Sequence, residues 1–201
     1  GAPTPSDRIL ATRLGVEAVD LYLLHWPWPP VPLSTGAEAL AEAYERGLAR
    51  GVGVANCSLA QLEVVKVVLE RHRVPLLANQ VELSLLRRDW EAHLPALRQE
   101  GIALMAYSPL AMGWLTGKLD PDRPPRGYRG SKYRPFLGRV RRLLPVLKAL
   151  AEAKGTNPAA IALRYLMQKG ALPIPGAKNA HQAQQNAEVL RIALTPEEMA
   201  L

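Results

Sequence analysis

The stretch GVGVANCSLAQLEVVKVVLERHRVPLLANQVELSLL, residues 51–86, decides the architecture. Val52–Ala55 is a short β-branched run between glycines. Leu59–Arg71 carries Leu62, Val65 and Leu69 at spacings of three and four, the period of a helix with one apolar face. Leu76–Leu83 then returns to an apolar run of strand length. Strand, helix, strand in this order is a βαβ unit, whose crossover connection lays its strands parallel.

The same rhythm extends in both directions. Upstream, Val19–Leu24 reads as a buried strand and Gly36–Arg50 as an Ala-, Leu- and Glu-rich helix. Downstream, Asp89–Glu100 reads as a helix with Asp89 as N-cap, and Ile102–Tyr107 as a strand. A long Pro/Gly/Arg loop follows. Helices are then predicted over Leu137–Lys154 and Pro158–Lys169, the second capped by Asn157 with Pro158 at its first position. Leu172–Ile174 is a last strand and Ala180–Leu190 a last helix, and Thr195 caps a final turn. Right-handed crossovers would set the five strands side by side in chain order. Such units build either an open doubly wound sheet or a (β/α)8 barrel. No G-x-G-x-x-G follows a strand, which counts against the dinucleotide-binding open sheet.

A length of 201 residues with 48% hydrophobic content suits one globular domain, read here as 1–201, with aromatics at only 5% leaving the core to Leu, Val, Ile and Ala. The single cysteine, Cys57, excludes an internal disulfide or a multi-cysteine zinc site. Nothing near it in sequence would lower its pKa, so it reads as packed rather than reactive. The histidines His25, His72, His93 and His181 lack metal-motif spacing, and no metal is expected. No apolar run reaches the roughly 18 residues of a membrane span. The net charge of +7 comes from one segment: Lys118–Lys148 holds 10 Lys/Arg against 2 Asp/Glu, while the rest holds 15 against 16. Such a patch fits solvated surface, a phosphate-bearing small ligand or nucleic acid. Only Tyr128, Tyr133 and Phe136 interleave with it, which argues against a nucleic-acid partner.

Hydrogen-bonding residues gather where the strands end: Leu24-His25-Trp26-Pro27, Ala55-Asn56-Cys57-Ser58, Asn79-Gln80-Val81-Glu82, Tyr107-Ser108-Pro109-Leu110 and Pro175-Gly176-Ala177-Lys178. Parallel α/β proteins place their active sites at that edge. A single such residue would be an ordinary loop residue; five successive ends point to a site.

LGVEAVDLYLLHWP (14–27), GVGVANCS (51–58), NQVELSLL (79–86), AYSPLAMGWLTGKL (106–119) and IPGAKNAHQAQQN (174–186), in this order, resemble the aldo-keto reductase family. The YSPLAMGWLTGK run is nearest the branch of potassium-channel β subunits and plant or bacterial reductases. The resemblance implies a (β/α)8 barrel of which this chain supplies strands four to eight, a bound NADPH, and reduction of aldehydes or ketones to alcohols. It implies His25 beside the substrate carbonyl, where a donor stabilises the charge that hydride addition creates. It implies Asn56 and Gln80 on the nicotinamide carboxamide and Tyr107 stacked on the ring. Ser108, Leu110 and Lys118 would follow the pyrophosphate. Gly176, Lys178, Gln182, Gln185 and Asn186 would hold the adenosine end, with Lys178 beside a helix start suited to a 2′-phosphate. Trp26 and Trp28 fall in a loop that touches substrate in the family. Ala55 stands where the family usually has Ser.

The family's catalytic Asp, Tyr and Lys belong to strands upstream of the match to His25, and this sequence has no counterpart for them. Tyr22 is no substitute, because alternation along a strand turns it away from the face His25 shares with Leu21 and Leu23. The expectation is therefore a fragment or processed form, inactive as a reductase by itself. The alternative is an NADPH-binding regulatory β-type subunit or an inactive pseudoenzyme. A small carbonyl substrate, a soluble intracellular setting (cytoplasm, or a plastid in a photosynthetic eukaryote) and room for a homo-oligomer complete the expectation.

Overall fold

The computed structural model describes residues 14–201, which fall into two compact units. The first runs through Val81 and adds Leu97–Leu104; the second comprises Glu82–Ala96 and Met105–Leu201.

In the first unit, β1 (Tyr22–Leu24), α1 (Leu33–Glu45), β2 (Val52–Ala55), α2 (Leu59–Arg71) and β3 (Leu76–Glu82) alternate as the sequence predicts. The strands are parallel and lie in chain order, with Leu24 opposite Val54 and Ala55 opposite Gln80. β2 is buried along its whole length. Its Gly53 is dictated by space: a Cβ there would stand 2.7 Å from the carbonyl oxygen of Ala78 and 2.6 Å from the Leu23 side chain. α2 buries Leu62, Val65, Val68 and Leu69. Each such side chain contributes about 1.5–3 kcal/mol. Ser58 and Gln61 form a reciprocal capping box at the start of α2, a signal the sequence reading passed over.

The boundaries differ from expectation for identifiable reasons. α1 begins three residues before Gly36 and stops at Glu45, not Arg50. Gly47 turns left-handed at φ 68°, and the N–H groups of Gly47 and Leu48 close back on Tyr44 and Ala43. That is a Schellman stop, which a period count runs straight through. β1 is shorter than Val19–Leu24; Val19 instead makes a separate parallel bridge to Ala49.

At the end of α2, both ring nitrogens of His72 lie within hydrogen-bond distance of α1 carboxylates, Glu38 (2.6 Å) and Glu45 (2.8 Å), and both donate when the ring is protonated. Hydrogen bonds to Glu45 and Glu38 raise its pKa above the ordinary 6.5. A raised folded-state pKa stabilises fully below the unfolded value, and the contribution fades as pH climbs through the folded one. Urea melts at about pH 5.5 and about pH 8.5 should show His72→Gln less stable than wild type at the lower pH, and the gap closing at the higher. An unchanging gap would remove the ion pairs as its cause.

The remaining elements fall mainly in the second unit, where the last three residues of β4 (Ala103–Tyr107) lead into a parallel pairing with the two-residue β5 (Leu172–Pro173), Met105 opposite Leu172. The region expected as a helix from Asp89 to Glu100 is a 3-10 turn, Glu91–His93, followed by α3 (Leu94–Gln99), and Asp89 is not its cap. Pro95 explains the break: it has no N–H for the carbonyl of Glu91, so it is tolerated only in a first turn. The long loop holds structure of its own, a kinked 3-10 segment over Ala111–Thr116 and the short α4 (Tyr128–Tyr133). α5 (Leu137–Ala153), α6 (Pro158–Lys169) and α7 (Ala180–Ala187) follow. Asn157 caps α6 as predicted, and Thr195 and Glu198 cap the final turn reciprocally. α7 ends before Leu190, in a 3-10 turn over Glu188–Arg191.

Candidate functional site

The strand ends of the first unit bring His25, Asn56 and Gln80 together. Asn56 follows β2 in the left-handed conformation, φ 59°, which Asn tolerates better than most residues. From there its side-chain Nδ2 donates to the carbonyl oxygen of His25 (3.4 Å), while its backbone N–H donates to the carbonyl of Gln80 (2.8 Å). The three residues predicted at the nicotinamide and carbonyl are thus neighbours at adjacent strand ends. His25 is exposed, and its ring meets Trp26 edge-on at 6.1 Å. Trp26 and Trp28 are both exposed, their rings 5.3 Å apart and tilted by 32°. The Leu24 side chain packs against Gly36 of α1, 3.0 Å from where a Cβ there would stand, and strand alternation puts Tyr22 on the same side as Leu24.

Asn79, next to Gln80, has a different task. It is fully buried and its Nδ2 donates to the Cys57 carbonyl (2.9 Å), tying β3 to the turn after β2. Cys57 is buried, and burial pushes its thiol up to about 11. It is packed rather than reactive.

The second unit contains a cavity of about 520 Å3, within the range of small-ligand sites. Ser108, Leu110 and Lys118 line it from the loop after β4, and Gly176, Lys178, Gln182, Gln185 and Asn186 from the loop and helix after β5. Eight residues assigned from sequence to the cofactor therefore share one cavity. Tyr107 is not in its wall; burial and the Glu82 carboxylate raise the Tyr107 hydroxyl above its usual value.

Local geometry shows how the wall is made. The loop after β4 holds Ser108, Ala111 and Met112 at φ 49°, 50° and 53°, left-handed positions that non-glycine residues seldom occupy. Backbone bonds from Ala111 to Ser108 and from Gly113 to Leu110 close the turns. Opposite, Asn179 caps α7 through the Gln182 N–H, and Gln182 Oε1 accepts from the backbone N–H of Lys178 at 2.7 Å. Asn186 donates to the Gly176 carbonyl (3.3 Å) and Asn157 to that of Gln185 (3.3 Å).

Sequence reasoning missed Arg129, Thr116 and Asn157 in this wall. The basic stretch Lys118–Lys148 contained the signal for Arg129, but nothing in it distinguished that arginine from its neighbours. With Arg129 counted, three cations (Lys118, Arg129 and Lys178) and no carboxylate line the cavity among the described residues. The donor set fits an anion carrying more than one phosphate. Among the described residues, no group of three His, Cys, Asp or Glu could hold a metal ion, and no helix is long and apolar enough to cross a membrane.

Known proteins resemble this chain over most of its length. A chloroplastic pyridoxal reductase of Arabidopsis thaliana is 34% identical over 191 residues, covering 92% of this chain and 52% of its own. An aldo/keto reductase of Synechocystis is 31% identical over 205 residues, covering 93% and 57%. Among solved structures, a glycerol dehydrogenase from Gluconobacter oxydans superposes with a TM-score of 0.86 at 28% identity, over 97% of this chain and 60% of that one. A thermostable aldo-keto reductase solved with the inhibitor epalrestat gives 0.75 at 28% identity, over 97% and 62%. The chain thus spans about half to three fifths of the length of these proteins. Its parallel α/β architecture is TIM-barrel-like, and its relatives are oxidoreductases. The family's sequence pattern matches residues 7–201, and the chain belongs to the aldo/keto reductase family.

Proposed function

We propose that this chain carries the cofactor-holding part of an NADPH-dependent reductase, strands four to eight of an eight-stranded barrel, and that the whole enzyme reduces aldehydes or ketones to alcohols. The observation that carries the reading is the cavity of the second unit, lined by Lys118, Arg129 and Lys178 with no carboxylate among the described residues. Lys118 and Ser108 would hold the pyrophosphate, and Lys178 the 2′-phosphate. Asn56 and Gln80 would hold the carboxamide, since an amide both donates and accepts. Bound NADPH supplies the hydride. His25 would donate a hydrogen bond at the substrate oxygen, and Trp26 and Trp28 would offer the substrate an exposed aromatic surface. The family's Asp, Tyr and Lys, which supply and tune the general acid, would come from outside this segment, so the segment alone should not turn over a carbonyl.

The test is cofactor preference. Lys178→Ala should weaken NADPH by about tenfold to a hundredfold, the 1.5–3 kcal/mol of one charge-assisted bond, and leave NADH nearly untouched. Fluorescence titration with both cofactors measures this. Equal wild-type affinity for NADPH and NADH would overturn the assignment of Lys178.

A further inference from the structure

Arg129 reaches the cavity from α4, a helix of six residues, too short to hold its shape unaided. Its ties to the rest of the unit are therefore what place the guanidinium. Two of them converge on one oxygen. The hydroxyl of Tyr133, a fully buried side chain, donates to Glu82 Oε1 at 2.8 Å, and Lys132 Nζ lies 2.9 Å from the same atom. Glu82 is the last residue of β3, its side chain only 12% exposed. Burial and Glu82 together raise the Tyr133 hydroxyl, so it stays protonated and donates. Trp114, also fully buried, adds a bond from its indole N–H to the Arg129 carbonyl (3.4 Å). Gly130 lets the turn close on itself, since a Cβ there would overlap the Pro125 carbonyl oxygen.

A nearly buried carboxylate is costly unless its partners are fixed. Arg87 pairs with the other Glu82 oxygen at 3.9 Å, but the two closer partners come from α4, three and four residues beyond Arg129, the spacing that puts side chains on neighbouring turns of one helix. Fixing Lys132 and Tyr133 fixes the backbone that carries Arg129.

We propose that Glu82 is a positioning residue for phosphate binding: by holding Lys132 and Tyr133 it sets α4 so that Arg129 faces the cavity. The inference rests on the nucleotide reading above. Glu82→Gln keeps the shape of the side chain and removes the charge that holds Lys132.

The experiment is a double-mutant cycle on the full chain, read by NADPH fluorescence titration, with thermal melts run in parallel. Arg129→Ala should weaken NADPH about tenfold, and Glu82→Gln by a similar factor. The two together should be no worse than Arg129→Ala alone, because Glu82 acts through Arg129. If Glu82→Gln fails to fold, Lys132→Met combined with Tyr133→Phe removes the same ties from the other side and carries the same expectation. Losses that multiply in the double variant would overturn the proposal, as would unchanged NADPH affinity in Glu82→Gln. No NADPH binding by the wild type would overturn the nucleotide reading and this inference with it; wild-type binding with a failed cycle overturns this inference alone.

Discussion

Replacing His25 by Ala in an active reductase carrying this segment is expected to lower kcat by about a hundredfold to a thousandfold, the 2.7–4 kcal/mol lost with one donor at a developing oxyanion. NADPH affinity should change by less than about twofold. The geometry is the reason to expect the split. Asn56 is anchored to the backbone carbonyl of His25, not to its ring, so the substitution leaves that anchor in place. The cation-lined cavity is built, among the described residues, from residues of the second unit. Steady-state kinetics with a reactive aldehyde, alongside cofactor titration, measures both quantities. A kcat within a few-fold of wild type would reduce His25 to a packing residue at the end of β1, edge-on to Trp26.

The second large effect concerns stability. Glu91, its side chain 16% exposed, pairs with Arg88 and Lys169 and accepts the hydroxyl of Tyr165 at 2.8 Å, joining the 3-10 turn after β3 to α6. Burial alone would raise its carboxyl, but the hydrogen bonds from Arg88, Lys169 and Tyr165 outweigh it and lower the pKa from 4.5 to about 2. A depressed carboxyl stabilises fully above its unfolded pKa, and the contribution is lost as pH falls through the folded one. Glu91→Gln should therefore lower the unfolding free energy by about 3 kcal/mol near neutrality. Its shortfall against wild type should shrink as pH falls from 4.5 towards 2. Urea denaturation across that range provides the measurement; a neutral-pH difference below about 1 kcal/mol would put Glu91 among ordinary surface ion pairs.

Much of this was legible in the sequence because period and punctuation agree there. The β2–α2–β3 unit stands where residues 51–86 place it, since β-branched runs and a three-four apolar spacing admit few other readings. Asn157 and Thr195 were readable because caps act locally. The errors arose where a single residue outweighs a pattern: Gly47 ending α1, and Pro95 breaking the helix read from Asp89. The cavity was half legible. Ser108, Lys118 and Lys178 were found through family resemblance, whereas Arg129 was hidden in a segment whose composition reads as loop. Its short helix bonds to Glu82 and Trp114, partners that lie outside its own stretch of sequence. The left-handed turns at Ala111 and Met112 were equally invisible, since neither residue type prefers positive φ.

Cys57 has a practical consequence. It is the only cysteine, and a thiol held near 11 is ionised to about one part in ten thousand at neutral pH. A maleimide added to the native chain should find nothing to react with, so a cysteine introduced on the surface would take a fluorophore or spin label without removal of the native one. Once β2 parts from its neighbours, the thiol is released. The rate at which Cys57 is alkylated then becomes a clock for the opening of the strand end that carries Asn56, read without any mutation.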